Sequence, residues 1–199
     1  VIGRQVPSAA LPIEVGAVVQ NVGTTFAIYE AVQKNKPLFE RVMTVTGKSA
    51  AQPSNYRVRI GTLLSEVVTL AGGVPEGTGK IIGGGPMMGR SLMNLNVPMA
   101  KGSAGILFMP DEESVRKPMK NCIRCTKCVS VCPMGLEPFL LMNQSERNMW
   151  PEMEKERVMD CIECGSCSYT CPSNRPLLDY IRYGKTTVGG IIRSRAVKK

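Results

Sequence analysis

The stretch "CIRCTKCVSVCP", residues 122–133, places four cysteines within eleven positions and a proline directly after the last of them. The cysteines are separated by two, two and three residues. The same spacing returns from Cys161 to Pro172, 39 positions after Cys122. This C-x2-C-x2-C-x3-C-P pattern is typical of bacterial two-cluster ferredoxins, in which the fourth cysteine of each motif ligates the other cluster. The repeat therefore predicts two [4Fe–4S] clusters.

The longer final gap predicts that the two motifs exchange one ligand. A short loop presents three thiolates at steps of three and directs its backbone amides at the cluster sulfurs, but it does not easily reach the fourth corner of the cubane. The ligands expected for the first cluster are Cys122, Cys125, Cys128 and Cys171. Those expected for the second cluster are Cys161, Cys164, Cys167 and Cys132. This arrangement would hold two redox centres close together.

Zinc binding and disulfide formation are the alternatives for these cysteines. Zinc sites usually combine two C-x2-C pairs from separate knuckles, which does not describe three cysteines at steps of three, twice. Disulfides require an oxidising compartment, and no export signal supports one. We expect cluster binding and folding to be coupled, so that removal of iron unfolds residues 115–185.

Composition narrows the possible functions. The 199 residues contain no histidine, which excludes imidazole from catalysis and metal binding. No apolar run approaches the roughly 18 residues of a membrane span, so no direct span is expected. The net charge is +9. Two clusters at about −2 each would lower it to about +5. Nucleic-acid binding is not expected, because the basic residues lack interleaved aromatic residues. The chain is expected to hold no complete catalytic site.

The sequence predicts an α+β fold, with a β-grasp-like module over residues 37–109. "ERVMTVTG" (40–47) and the alternating "YRVRI" (56–60) indicate strands. "TLLSEVVTLAGG" (62–73) indicates a helix with Thr62 as its cap. "KIIGGGP" and "GILFM" indicate further strands. The glycine-rich "GGGPMMG" (83–89) does not fit a nucleotide-binding loop, so a turn or close backbone packing is expected there.

The flanking segments are assigned as follows. Residues 1–36 are too few for a domain and contain the helix "FAIYEAVQKN", with Thr24 or Thr25 as its cap. Residues 110–185 are predicted to be a mostly helical two-cluster ferredoxin-like domain, ending in a short helix at "RPLLDYIRY". Residues 186–199 are expected to form a mobile basic tail beginning near Gly184.

The two motifs differ in the charges that flank them. The residues around the first motif are basic: Arg116, Lys117, Lys120, Arg124 and Lys127. Asp160 and Glu163 lie around the second. Positive charge favours a reduced cluster, so the first cluster would have the higher potential. The basic residues could instead dock an acidic electron-carrier domain, or simply solvate a loop.

Several stretches together resemble one protein family. "LPIEVGAVVQNVGTTFAIYEAV", "RVMTVTG", "RVRIGT", "GGGPMMG" and the two cysteine motifs resemble the C subunit of the Rnf electron-transport complex. The resemblance implies a peripheral subunit at the cytoplasmic face of the inner (cell) membrane, with the other Rnf subunits as partners. The complex moves electrons between ferredoxin and NAD and couples them to ion translocation. The middle module would be a soluble-ligand-binding β-grasp (SLBB) domain.

The resemblance also implies what this chain lacks. The glycine-rich flavin and NADH half of the family is absent, and residues 1–36 resemble its trailing end. FMN and NADH are therefore expected only in the missing N-terminal half. The leading hypothesis is electron transfer through two clusters. The rivals are a binding or scaffolding module with structural clusters, and an iron–sulfur subunit of another oxidoreductase. The family-like stretches within residues 1–109 argue against that last rival.

Overall fold

The computed structural model describes residues 2–197 and divides them into two compact units. Residues 19–116 form the first, called the sheet unit below. Residues 2–18 and 117–197 form the second, called the cysteine unit. Within this described range, none of the helices has the length and apolar character needed to cross a membrane.

The sheet unit is built on a mixed five-stranded sheet in the order β2-β1-β5-β3-β4. The strands are β1 (Glu40–Gly47), β2 (Ser54–Arg59), β3 (Thr78–Gly83), β4 (Arg90–Ser91) and β5 (Gly105–Pro110). β1 pairs antiparallel with β2 and parallel with β5 in the centre of the sheet, and β3 pairs antiparallel with β4 and β5. The four predicted strands are confirmed. The two-residue β4 is too short to give a sequence pattern.

The core of the sheet unit follows from the alternation of the central strands. Met43 and Val45 of β1, and Ile106 of β5, are each no more than 1% exposed. Helix α2 (Leu64–Leu70) packs on them with its buried side chains, among them Val67. Each such side chain contributes roughly 1.5–3 kcal/mol by leaving water. The sheet unit therefore has a conventional apolar core.

Helix α2 begins in a different way from the prediction. Thr62 is not its cap: the helix starts at Leu64, and no side chain caps it. Instead, the amide N–H groups of Leu64 and Ser65 donate to the carbonyl oxygens of Val97 and Leu95, both at 3.0 Å. A strand-like loop from a distant part of the sequence thus satisfies the first-turn donors that a cap would serve.

Helix α1 (Val22–Lys34) begins before the predicted stretch. Its cap is Asn21, whose side-chain oxygen accepts a hydrogen bond from the Gly23 amide at 2.9 Å. The prediction of Thr24 or Thr25 was therefore wrong, while the predicted end at Asn35, in the left-handed region, is correct. None of the residues of α1 is buried.

The glycine-rich segment "GGGPMMG" makes the close packing that the sequence predicts. The Gly84 amide donates to the Gly105 carbonyl at 2.7 Å, which ties the turn to β5. A Cβ atom at Gly89 would lie 2.5 Å from the Gly85 carbonyl oxygen. Only glycine fits that position without a shift of the backbone. A single helical turn, α3 (Asp111–Ser114), follows β5.

The cysteine unit is helical, as predicted. Its helices are α4 (Lys127–Ser130), α5 (Pro138–Glu146), α6 (Trp150–Lys155), α7 (Ser166–Tyr169) and α8 (Leu177–Val197). The helices α5, α6 and α8 meet around a core in which Leu141, Met142 and Met153 are completely buried. The side chains of Trp150 and Tyr183 pack edge to face, with their ring centroids 5.6 Å apart.

The last helix is much longer than the sequence analysis expected. Instead of a short helix followed by a mobile basic tail, α8 continues through Gly184 to Val197. Gly184 permits this, because a Cβ atom there would lie 2.3 Å from the Cε of buried Met153. Val188, one turn later, is 1% exposed. The glycine marks a close helix contact rather than a helix end. The last two residues of the predicted tail lie outside the described residues.

Candidate iron–sulfur site

The two cysteine loops have the same backbone form. Arg124 and Thr126 in the first loop have φ values of 55° and 58°. Glu163 and Gly165, 39 positions later, have φ values of 57° and 82°. Each loop therefore has two residues in the left-handed conformation between its cysteines, and it leads into a one-turn helix, α4 in the first loop and α7 in the second. Left-handed conformations cost non-glycine residues about 1–2 kcal/mol, so both loops store backbone strain.

One cavity brings the fourth cysteine of the first motif to the second motif. Cys132 lines it together with Cys161, Cys164 and Cys167. The remaining walls are largely apolar and include Leu141 and other core side chains of the cysteine unit. These are the four thiols predicted for the second cluster. The individual ligand assignments stay a prediction.

Two of the thiols in this cavity, Cys161 and Cys167, are poorly placed to carry negative charge on their own. Burial raises the pKa of Cys167 to about 11, and the neighbouring Cys161 and Cys164 add to the rise. Burial also raises the pKa of Cys161, and the neighbouring Cys132 adds to this rise. A bound cation deprotonates a coordinating thiol outright. Bound iron would thus supply the positive charge that the thiolates of Cys161 and Cys167 need.

The sulfurs of the second site take part in hydrogen bonds. The Leu136 amide donates to Cys132 Sγ at 3.3 Å, and the Glu163 amide donates to Cys161 Sγ at 3.4 Å. The Ser166 hydroxyl lies 3.4 Å from Cys164 Sγ and lowers the pKa of that thiol. Such contacts stabilise thiolates and adjust cluster potentials. Ser166 was not among the predicted site residues.

The first site is more open. Cys122 and Cys125 are exposed and Cys128 is half-buried. Burial raises the pKa of Cys128, and a smaller contribution comes from Cys171 of the second motif. The fourth cysteine of the second motif is thus an electrostatic neighbour of the first motif, as the exchanged ligation requires.

Three hydrogen bonds to backbone carbonyl groups join the start of the first motif to the end of the second. The Lys120 amide donates to the Ser173 carbonyl at 2.9 Å, and the Ser173 hydroxyl donates to the Asn121 carbonyl at 2.8 Å. The Asn174 side-chain amide donates to the Pro118 carbonyl at 3.2 Å. These contacts fix the chain directly before Cys122 beside the chain directly after Cys171.

Within residues 2–197, no three or more cysteine, aspartate or glutamate side chains converge closely enough to bind a single metal ion. A zinc ion would draw its ligands into one small tetrahedron. The four ligands of a cubane each bind a different iron and lie further apart.

The acidic residues near the second motif both accept hydrogen bonds, and Glu163 is paired with two cations, which corrects the charge expected from the motif alone. Asp160 Oδ1 accepts hydrogen bonds from the Ser8 hydroxyl and the Ala9 amide, at 2.8 and 3.1 Å. Glu163 accepts from Arg182 Nε at 3.0 Å and from Lys185 Nζ at 3.2 Å. Neither of these two cations of α8 was predicted as part of the site. Their spacing of three residues, which places them on one helix face, was the available signal.

Two domain families match this chain. Residues 121–175 match the 4Fe-4S dicluster domain, and residues 42–91 match the SLBB domain. The first match contains all eight cysteines, so the prediction of two [4Fe–4S] clusters is confirmed.

Curated relatives match over nearly the whole chain. The C subunit of a proton-translocating ferredoxin:NAD(+) oxidoreductase complex from Clostridium ljungdahlii is 46% identical over 92% of this chain. The C subunit of a Na(+)-translocating complex from Acetobacterium woodii is 44% identical over 94%, and that of an ion-translocating oxidoreductase complex from Rhodobacter capsulatus is 40% identical over 92%. This chain is a homologue of the Rnf C subunit.

The similarity to the Rnf C subunit covers part of those relatives only. The chain spans 40%, 42% and 35% of the lengths of the three proteins. The resemblance read from the sequence is confirmed, as is the mixed α and β architecture with an SLBB domain. The SLBB match covers β1 to β4 of the sheet unit, and the dicluster match covers both cysteine loops.

Proposed function

We propose that this chain transfers electrons through two [4Fe–4S] clusters. The observation that carries the proposal is the cavity in which Cys132 meets Cys161, Cys164 and Cys167. Because each motif would supply one cysteine to the cluster of the other motif, the two clusters would lie side by side, which suits electron hopping between them. No proton donor or acceptor is needed, and the lack of histidine is no obstacle.

The proposed ligation is exchanged between the motifs. Cys122, Cys125 and Cys128 would bind the first cluster together with Cys171. Cys161, Cys164 and Cys167 would bind the second together with Cys132. The cavity supports the second set. The hydrogen bonds between residues 118–121 and residues 173–174 support the first set.

The wider role is inferred from the names of the relatives. They are C subunits of ion-translocating ferredoxin:NAD oxidoreductase complexes. We propose that this chain acts with other subunits of such a complex, as a peripheral part of its cytoplasmic face. FMN and NADH would bind to a domain outside this chain, and residues 1–36 would adjoin that flavin and NADH domain. Membrane fractions should retain the chain and release it on alkaline washing; release by osmotic shock alone would contradict the location.

The sheet unit is proposed to be a β-grasp domain. Its first and last long strands, β1 and β5, pair in parallel in the centre of a mixed sheet. Antiparallel partners flank them, and α2 packs on the buried residues of β1 and β5. The SLBB match supports the same assignment.

The first cysteine loop is proposed to dock an acidic electron-carrier domain. Its thiols Cys122 and Cys125 are exposed. Exposed apolar side chains, Met119 at 56% and Ile123 at 67%, lie in the same segment as Lys120, Arg124 and Lys127. Charge attraction would speed association with an acidic carrier. Electron transfer from such a carrier should slow steeply as salt rises, and a flat response would remove this part of the proposal.

A binding module with structural clusters is the rival function. It is favoured by a cavity of about 500 Å³ in the sheet unit, between α1 and β1. The cavity walls are charged, but Lys36 already pairs with Glu30 and Glu40 there, at 3.2 and 3.4 Å. Arg57 also pairs with Glu40, at 3.8 Å.

A redox titration followed by electron paramagnetic resonance tests the proposed function. The chain, prepared without oxygen, should show two clusters that are reversibly reduced and that interact magnetically. Low potentials of about −400 mV are typical of ferredoxin-type clusters. Clusters that cannot be reduced without loss of iron would instead support the binding module.

A further inference from the structure

We propose that Arg182 and Lys185 of α8, together with Glu163, set the reduction potential of the second cluster. The proposal rests on the function proposed above, since it requires a cluster bound at Cys161, Cys164, Cys167 and Cys132. In this role the three residues are positioning residues that act on the cluster through the loop that holds it.

The three side chains form one connected group on the second cysteine loop. Glu163 Oε2 accepts from Arg182 Nε at 3.0 Å, and Glu163 Oε1 accepts from Lys185 Nζ at 3.2 Å. Lys185 Nζ also donates to the carbonyl oxygen of Cys161 at 2.7 Å. The side chains of Glu163, Arg182 and Lys185 are 31%, 33% and 24% exposed. Helix α8 therefore attaches two cations directly to the loop that presents the thiolates.

The loop is held by its backbone as well as by its side chains. Glu163 takes a left-handed φ of 57° and donates its amide to Cys161 Sγ at 3.4 Å. Although burial opposes the shift, Lys185 and then Arg182 lower the pKa of Glu163. The same residue thus provides a hydrogen bond to a cluster ligand and anchors both cations.

The first loop has no equivalent arrangement. Its matching residue is Arg124, which has nearly the same φ of 55° and the opposite charge. Arg124 is exposed, and it forms no ion pair within the part of the chain that the structure describes. Identical loops thus receive positive charge in two ways: from a solvated arginine in the first, and from the helix α8 in the second.

The net charge of the group has a defined effect on the cluster. Two cations and one carboxylate give this group a net charge of +1 beside the second site, where Asp160 adds a carboxylate hydrogen-bonded to Ser8 and Ala9. A cluster with four thiolates carries about −2, and one electron more makes it about −3. A nearby positive charge favours the reduced form, and the effect is larger where water is excluded. Burial of Cys167 and its neighbours would lower the potential of the second cluster, and the group on α8 offsets that effect.

Opposite charge changes provide the test. Lys185→Met removes a cation, and one of the two potentials should become more negative. Glu163→Gln removes an anion, and the same potential should become more positive. Lys185→Arg keeps the charge and should stay near the wild-type value. The matched control is Lys155→Met, which removes a lysine from the exposed end of α6. It should move neither potential.

The measurement is a redox titration of the chain prepared without oxygen, together with iron and sulfide analysis of each variant. Arg124→Gln identifies the other cluster, whose potential alone it should shift. Shifts of the same sign in Lys185→Met and Glu163→Gln would show a merely structural role and overturn the inference. So would two clusters whose potentials stay at the control value. If Lys185→Met fails to keep its clusters, Glu163→Gln decides by the sign of its shift. A wild-type chain without iron would overturn the proposed function itself.

Discussion

The sheet unit and the cysteine unit complete their cores by different means. The sheet unit encloses only apolar side chains, such as Val45 and Ile106. The cysteine unit has Cys167 within its core, and Cys128, Cys132, Cys161 and Cys171 pack against that core as partly buried groups. Weakly polar thiols thus occupy places that aliphatic side chains fill in the sheet unit. We therefore expect the sheet unit to be stable by packing alone and the cysteine unit to depend on iron for its folding.

Iron removal should give the largest difference between the two units. Anaerobic treatment with a chelator should abolish the structure of the cysteine unit, because its loops hold strained turns and raised-pKa thiols that only the clusters offset. The sheet unit should remain folded. Hydrogen exchange measured on peptides from both units checks this: protection should be lost over residues 121–175 and retained in β1 and β5.

The sheet unit serves as the control for the cysteine unit, because both units are measured in the same sample and under the same conditions. Protection that persists over residues 121–175 after all iron has gone would break the comparison. Equal loss in both units would do so as well, since it would show that the sheet unit also depends on the clusters.

Truncation of one buried side chain in each unit should sharpen the comparison. Ile106→Ala should destabilise the sheet unit by about 2–5 kcal/mol and leave the iron content unchanged. Leu141→Ala, a comparable truncation beside the cavity of the second site, should accelerate iron loss. Iron content and exchange rates measured on both variants check this. Equal iron loss in the two variants would contradict the separation of the units.

Asn21→Ala should give the smallest effect. It removes the cap of α1 and should cost the helix about 0.5–2 kcal/mol, seen as faster exchange over residues 22–34. Thr24→Ala is the matched control and should have less effect, since Thr24 is not the cap. An equal effect of both changes would restore threonine as the cap. Neither variant should change the iron content.

Much of the fold was predictable because its signals are local. The alternation in "YRVRI" and the β-branched residues of "ERVMTVTG" report strands without any knowledge of their partners. The start of α2 was not predictable, since its first amides are satisfied by Val97 and Leu95, about thirty residues away. The length of α8 was missed for the same reason. Gly184 looks like a helix end until Met153 is known to pack on it.

The candidate site was likewise predictable only where its signals are local. Cysteine spacing predicted two clusters, because ligand geometry restricts the spacing itself. The charges around the clusters were not predictable from neighbouring residues. Glu163 suggested an acidic second site, but Arg182 and Lys185 reach it from a helix about twenty residues further along the chain. Charge near a site depends on tertiary contacts, which motif spacing does not encode.

The most direct test of the account is alkylation of the Cys132→Ser variant under anaerobic conditions. With exchanged ligation, this change at the first motif should weaken the second cluster. Cys161, Cys164 and Cys167 should then react with iodoacetamide, while Cys122, Cys125 and Cys128 stay protected, and iron should fall from about eight to about four per chain. Reaction of Cys122, Cys125 and Cys128 instead, with the second motif still protected, would contradict the exchange of ligands between the two repeats.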